Sequence, residues 1–286
     1  CLAGENGSGK STLIKIISGV ETPDSGVIVV GGERHASMTP ASAIAAGVQV
    51  IYQDFSLFPN LSVAENIAMP RQRAVGGRFY SARAARPIAQ GIVDELGLAL
   101  DLDADVAALS VADKQLTAIC RALVSDAQII IMDEPTTALT GAEVTALFAL
   151  VRRLQSRGVS LIFVSHKLDE VLRVSQRLTV LRNGTWVATG AAGDYDRDAI
   201  AGLMTGKDID TSRVVSAVPA DAAIALEVKG LGRPGAFADI DLVVRCGEIV
   251  GLTGLLGSGR GEIAEAIFGV RPATTGTIAV GGHPVR

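Results

Sequence analysis

The sequence predicts an α/β fold: a parallel core sheet with an antiparallel β part and a helical insert. It also predicts the start of a second copy of that design at the C-terminus. Three observations lead there. GENGSGKST (4–12) is a glycine-rich loop that opens onto an apolar helical pattern. QIIIMDE (128–134) is a short apolar strand that ends on two carboxylates. GLLGSGRGE (254–262) repeats the glycines of the first loop 250 residues later, Gly4 with Gly254, Gly7 with Gly257 and Gly9 with Gly259.

The first loop, Gly4-Glu5-Asn6-Gly7-Ser8-Gly9-Lys10-Ser11, satisfies G-x-x-x-x-G-K-[ST] in full and continues into Thr12. Such a loop wraps phosphates with backbone N–H groups, and its glycines allow positive φ and close approach. The pattern sends Lys10 to the β- and γ-phosphates and gives the Ser11 hydroxyl to Mg²⁺. The helix from Ser11 to about Ser18 points its positive end at the same anion. Leu13, Ile14, Ile16 and Ile17 set its apolar face, and Gly19 its stop. The plainer alternative is a glycine-rich turn with no ligand; the length of the pattern and the helix behind it weigh against that.

A buried strand should precede such a loop, yet only Cys1-Leu2-Ala3 stand before Gly4. The later copy shows the expected form. EIVGLTG (248–254) has the composition of a buried strand, and DIDLVVRCG (239–247) and ALEVKGL (225–231) come before it. Shifted back by 250, these segments fall before residue 1, and Arg286 corresponds to Ala36. The expectation is a fragment that lacks the opening of the first repeat and most of the second.

Within the first repeat, GVIVV (26–30) is a strand before a Gly31-Gly32 turn, and VQVIYQD (48–54) is another, reaching Gln53. Ser62-Val-Ala-Glu65 is a capping box. The Arg/Ala-rich stretch from about Leu61 to Leu100 is the body of a helical insert with outer limits at about 54–125. The strand at 128–132 delivers Asp133 and Glu134 to its C-terminal end, where ligands sit in an open parallel sheet. Asp133 is then placed to hold Mg²⁺ through water, and Glu134 to polarise an attacking water. Paired carboxylates also serve as plain helix caps; the phosphate loop in the same chain favours the chemical role.

Thr140 and Glu143 cap the next helix, whose apolar positions Val144, Leu147, Phe148, Val151 and Leu154 follow the helical period. VSLIFVS (159–165) presents His166 at the same sheet edge. A lone histidine is usually structural, but this position favours a γ-phosphate contact. RLTVLRNGTWVATG (177–190) forms a hairpin about Asn183-Gly184, a type I′ turn signal. Small and polar residues at 207–223 form a linker between a first domain at 1–206 and a second at 224–286.

Composition narrows the partners. The 286 residues are 48% hydrophobic and carry a formal charge of −4, which argues against a nucleic-acid partner. Arg71, Arg73, Arg78, Arg83 and Arg86 come nearest to a basic patch and fit a solvated face. Cys1, Cys120 and Cys246 suit a reducing compartment rather than a disulfide framework. No apolar run reaches the ~18–20 residues that cross a bilayer, so a membrane role passes through a partner.

In order, GENGSGKST, Gln53 of YQD, LSVAD (109–113), IIIMDEP (129–135) and His166 of FVSH resemble the ATP-binding cassette (ABC) family. Within it the chain is similar to the tandem-cassette ATPases of simple-sugar importers, with their GENG-type first loop, LSV-type signature, DEPTTALT-type stretch (133–140) and weakened second loop. The resemblance implies a P-loop NTPase cassette using ATP and Mg²⁺. It implies nucleotide contacts from Gly4, Asn6, Gly7, Ser8, Gly9, Lys10, Ser11, Thr12, Gln53 and Ser110. Mg²⁺ falls to Ser11, Gln53 and Asp133, and hydrolysis to Glu134, His166 and Lys10. Gln53 resembles the residue that links the nucleotide to the permease-facing insert. Ser110 resembles the signature serine that touches the γ-phosphate held by an opposite cassette. The family further implies two cassettes clamped face to face over two ATP molecules. They drive a separate membrane permease, which takes sugar from an extracytoplasmic binding protein. The chain would then sit peripherally on the cytoplasmic face of the inner membrane.

Two departures coincide. In the signature, usually LSGGQ or LSVGQ, Ala112 and Asp113 stand for glycine and glutamine. Asp113 suits the helix dipole but repels a phosphate; unit charges about 8 Å apart at an effective dielectric near 20 interact by roughly 2 kcal/mol. In the second loop Arg260 stands for lysine and Gly261 for the hydroxyl residue. In a face-to-face clamp both lie in the same composite site, so the expectation is an asymmetric ATPase whose working site is built on Lys10, Ser11, Asp133 and Glu134. On this expectation the chain alone does not complete a hydrolytic site, because the facing signature and an upstream aromatic platform for adenine lie outside it. Two other readings are a truncated, non-hydrolysing remnant and a soluble cassette ATPase acting on ribosomes or DNA. The second lacks the basic linkers or coiled-coil inserts it would need.

Overall fold

Strand β1 (Leu2–Ala3) is two residues long and still holds the middle of a six-stranded sheet. It survives because both edges are paired. Leu2 is in parallel register with Val164 on one side and Thr179 on the other, and Ala3 with Val180. The computed structural model describes residues 1–74, 81–206, 218–219, 221–254 and 257–285. It divides into two compact units, Cys1–Ile209 and Asp210–Arg286. Most of the expected linker, 207–217 and 220, lies outside the described residues, as do Arg78, Leu255 and Leu256.

In the first unit β1 is followed by α1 (Lys10–Ile17), β2 (Ile28–Val30), β3 (Glu33–His35), α2 (Pro40–Ala45) and β4 (Val48–Ile51). Next come α3 (Val63–Ala74), α4 (Ala82–Glu95), a 3₁₀ turn at Val106–Ala108, α5 (Val111–Val124), β5 (Ile129–Asp133) and α6 (Gly141–Ser156). The unit ends with β6 (Ser160–Val164), α7 (Leu168–Val174), β7 (Arg177–Arg182), β8 (Thr185–Ala191), a 3₁₀ turn at Ala192–Asp194 and α8 (Arg197–Thr205). The main sheet runs β4-β5-β6-β1-β7-β8, parallel throughout except for the antiparallel β7–β8 hairpin. Strands β2 and β3 form a separate antiparallel pair.

Parallel strands covered on both faces need apolar residues at every position, and β5 shows why. Ile130 and Met132 point into a cluster with the insert residues Ile67, Leu96 and Ile119, while Ile131, between them, points into a second cluster with Leu2, Ile14 and Val164. All three β5 side chains are fully buried, each contributing about 1.5–3 kcal/mol of transfer free energy. The expected capping boxes form. Glu65 Oε2 accepts from Ser62 N at 2.9 Å, and Glu143 Oε2 accepts from Thr140 N at 2.7 Å. The hairpin turn is type I′, with φ of 51° at Asn183 and 75° at Gly184.

Two expectations shift. The helical stretch expected over about 61–100 is two helices, α3 and α4, and helix stops at Glu95 because Gly97 turns to φ 56°. The strand expected to reach Gln53 ends at Ile51, and Gln53 lies in the following turn.

The second unit is an antiparallel sheet in the order β10-β9-β11-β12, formed by β9 (Ile224–Arg233), β10 (Phe237–Arg245), β11 (Thr275–Val280) and β12 (His283–Val285). Helix α9 (Arg260–Phe268) packs Ala266 against Val228 and Leu231. EIVGLTG (248–254) corrects the sequence reading: it is neither strand nor buried, and Ile249 is 93% exposed. Its counterpart β1 is sandwiched between two parallel strands. Among the described residues of the second unit every strand pairing is antiparallel, and both edges of β9 are taken by β10 and β11. A strand with no ladder partner leaves its N–H and C=O groups to water.

Among the described residues no helix is long and apolar enough to cross a membrane.

Candidate functional site

The first loop lies at the C-terminal end of β1, and its shape follows from its glycines. Gly7 and Gly9 hold φ of 79° and 96°, and Gly9 caps α1. At Gly4 the requirement is space: a Cβ there would stand 2.4 Å from the Leu181 carbonyl and 2.4 Å from Ser8 Oγ. The hairpin turn closes the other side, with Gly184 N donating to the Ser8 carbonyl at 3.1 Å. Lys10 folds beneath the loop, its Nζ donating to the carbonyls of Gly4 (2.8 Å) and Glu5 (2.9 Å).

A cavity of about 460 Å³ opens above this loop. It is lined by Asn6, Gly7, Ser8, Gly9, Lys10, Ser11, Thr12, Gln53, Asp133 and Glu134. Ten of the thirteen residues singled out by sequence therefore meet in one place. Gly4 stands behind the loop as a spacer. His166 reaches the site through Glu134: its Nδ1 is 2.8 Å from Glu134 Oε1. Ser110 is elsewhere, at the head of α5. Its hydroxyl accepts from Asp113 N at 3.1 Å and donates to Asp113 Oδ2 at 2.8 Å.

The electrostatics suit an anion and a hard cation together. Burial pushes the Lys10 ammonium below the usual lysine range, against the pull of the Glu134 and Asp133 carboxylates. Burial pushes the Asp133 carboxyl up, Glu134 adds to the rise, and Lys10 opposes it. A second cation beside Asp133 would relieve that cost. Among the described residues no group of three His, Cys, Asp or Glu could hold a metal by itself. The oxygen donors here are Ser11, Gln53 and Asp133, with room for water, which is a donor set suited to Mg²⁺. Ser8 Oγ is buried without a hydrogen-bond partner, and the positive φ of Gly7 and Gly9 is a backbone form found in anion-binding nests. The residues thus fit a phosphate chain with its metal.

Glu134 is backbone-strained, with φ of 49°. Its N–H donates to Val164 O at 2.9 Å, tying the end of β5 to β6. Sequence reading missed two supports. Arg121, on α5, donates to the carbonyls of Ser56 (2.6 Å) and Phe55 (2.9 Å), two consecutive residues with φ of 47° and 61° just after Gln53. Glu170, on α7, is buried among Thr136, Ser165 and Lys167. The available signal was a carboxylate four residues after His166 in a short helix facing the sheet.

In the second unit the described residues of the loop match their counterparts. Gly257 and Gly259 have φ of 79° and 86°, and Arg260 Nη1 donates to Gly254 O at 2.9 Å.

Residues 1–137 match the family model described as ABC transporter. The chain is 46% identical over 285 residues to the ribose import ATP-binding protein RbsA 2 of Rubrobacter xylanophilus, covering 99% of this chain and 54% of that protein. It is 41% identical to a putative ribose/galactose/methyl galactoside import ATP-binding protein of Burkholderia lata, covering 100% of this chain and 54% of that one. It therefore spans about half the length of the curated relatives it matches. Among solved structures, an ATP-binding cassette of an ABC transporter in its ADP conformation aligns with a TM-score of 0.58 at 26% identity, over 71% of this chain and 82% of that one. A nucleotide-free ATP-binding cassette from an ABC transporter aligns with a TM-score of 0.59 at 25% identity, over 71% of this chain and 83% of that one. The first 137 residues are thus similar in sequence to the ABC transporter family, and the fold is that of an ATP-binding cassette.

Proposed function

We propose that this chain is an ATP-binding and ATP-hydrolysing part of a bacterial ABC importer for a simple sugar, energising a separate membrane permease. The observation that carries the proposal is the single cavity that gathers Lys10, Ser11, Gln53, Asp133 and Glu134, with His166 bonded to Glu134. The names of the relatives, ribose and galactose import proteins, support the sugar. The permease, indirectly an extracytoplasmic sugar-binding protein, a face-to-face second cassette and a peripheral position on the cytoplasmic face of the membrane all belong to this proposal.

In the proposed mechanism the loop amides from Asn6 to Thr12 hold the phosphates. Lys10 leaves its own loop carbonyls to meet the β- and γ-oxygens. Ser11, Gln53 and Asp133 would hold Mg²⁺, which would supply charge neutralisation on the phosphates. Glu134 takes the proton of the attacking water, and His166 fixes the carboxylate that does so. The unit nearest 1–206 acts as the working cassette, and the residues after 224 as the opening of a degenerate second one. Asp113 already occupies the Ser110 hydroxyl, which supports an asymmetric pair whose Arg260 site turns over poorly.

The test is calorimetric titration of the protein with ATP, with and without Mg²⁺. We expect Mg²⁺-dependent binding that Lys10→Ala weakens by about tenfold or more; unchanged affinity in Lys10→Ala overturns the assignment of this loop as the nucleotide site.

A further inference from the structure

We propose that Glu170 is a positioning residue: its buried carboxylate ties the segment after Glu134 to the segment before His166, and so holds those two side chains against each other. The proposal rests on the assignment of Glu134 and His166 to the nucleotide site.

Glu170 is 8% exposed, and carboxylates are almost never buried that far without partners. Its partners come from two different segments. Oε2 accepts from Thr136 Oγ1 at 2.5 Å and from Ser165 Oγ at 3.3 Å. Oε1 lies 3.2 Å from Lys167 Nζ, which itself donates to the Thr136 carbonyl at 3.0 Å. Ser165 Oγ closes the ring by accepting from Lys167 N at 3.0 Å. Thr136 is two residues beyond Glu134, and Ser165 immediately precedes His166. Both ends of the 2.8 Å Glu134–His166 contact are therefore anchored to one carboxylate.

The strain at Glu134 shows what this anchor opposes. A non-glycine residue at φ 49° is strained by its Cβ and persists only where its surroundings over-determine it. The Val164 carbonyl fixes its N–H, and Thr137 Oγ1 donates to its carbonyl at 3.2 Å. Glu170 fixes the next turn of that segment through Thr136. An apolar side chain would fill the same volume, but only a carboxylate accepts from two hydroxyls and faces an ammonium at once. Chemically, a carboxylate that must take a proton from a water has to keep one orientation, and His166 supplies it only if the two segments keep their register.

The experiment reads the His166 ring directly and needs no turnover. Long-range ¹H–¹⁵N spectra of the neutral imidazole report which ring nitrogen carries the proton; His166→Gln assigns the signal among the three histidines. In the wild-type protein we expect the Nδ1–H tautomer, held by the Glu134 carboxylate. Glu170→Gln keeps the size and removes one anionic acceptor; Thr136→Val removes the donor from the other end at equal shape. Both should move His166 toward the Nε2–H tautomer, with ATP affinity changed by no more than about twofold. An unchanged Nδ1–H signal in either folded variant overturns the proposal. Should Glu170→Gln not fold, Thr136→Val decides alone. Wild-type protein that binds no ATP would sink the nucleotide assignment, while the ring signals would still decide whether Glu170 positions the pair.

Discussion

Arg260 sends its Nη1 back to the carbonyl of Gly254, 2.9 Å away and six residues earlier in its own loop. Lys10 makes the equivalent bond to Gly4 at 2.8 Å. A Cβ on Gly254 would stand 2.4 Å from Ser258 Oγ, the same distance as between Gly4 and Ser8. The described residues of the loop keep their geometry while the chemistry changes: the point charge has become a planar fork, and Gly261 offers no hydroxyl to a metal. Arg260→Ala should therefore leave Mg²⁺-ATP affinity within about twofold, whereas Lys10→Ala should lower it by about tenfold or more. Comparable losses in both variants, read by displacement of a fluorescent ATP analogue, would remove the asymmetry.

Glu134→Gln keeps the side chain's size and its reach to His166 while removing its basicity. Turnover should fall by about 10²–10⁴-fold, with ATP binding retained. The measurement is phosphate release by a preparation that hydrolyses ATP; substantial residual release would place the base elsewhere.

Asp133 gives a stability signature with a definite sign. Its carboxyl is pushed above the ordinary value of 3.8, chiefly by burial and then by Glu134. The folded protein therefore binds the proton more tightly than the unfolded chain, and the favourable contribution is lost as pH rises through the raised value. At neutral pH the ionised group subtracts from stability. Asp133→Asn should raise the denaturation midpoint at pH 7 without ATP, and the gain should shrink as pH falls toward 3.8. A gain that grows on acidification would contradict this assignment.

Arg121 clamps two left-handed residues, Phe55 and Ser56, through their carbonyls. Arg121→Met keeps most of the apolar stem and loses both bonds. The expected cost is about 2 kcal/mol, in line with hydrogen bonds from a charged donor, read as a shift in urea midpoint at constant m-value. A loss under about 0.5 kcal/mol, the range of an ordinary surface change, would show that the loop holds its shape without the clamp.

The cysteines should differ sharply in reactivity. Burial pushes the Cys120 thiol up to about 12, and the side chain is enclosed. Cys246 is exposed. At pH 8 an aromatic disulfide reagent should label Cys246 promptly and Cys120 only on unfolding, because the thiolate is the reacting form. Prompt labelling of Cys120, located by peptide mapping, would mean that the core around α5 opens.

Local signals in the chain were enough to place the first loop, the capping boxes at Ser62 and Thr140, the Asn183-Gly184 turn and the carboxylates closing β5. Each depends on residues a few positions apart, so glycine torsions, side-chain caps and apolar periodicity settle them before any long-range contact forms. EIVGLTG shows the limit of such signals. Its composition matches a buried strand as well as IIIMD does, yet it lies exposed, because a strand exists only where neighbours complete its ladder. Leu2–Ala3, far too short to read as a strand, is one because β6 and β7 flank it. The same holds at the site. Residue types named Lys10, Ser11, Asp133, Glu134 and His166, but the 2.8 Å contact of Glu134 with His166, the Glu170 anchor and the Arg121 clamp join residues 32 to 66 positions apart. Those distances are set by how α5, α7 and the sheet pack, and no local propensity encodes them.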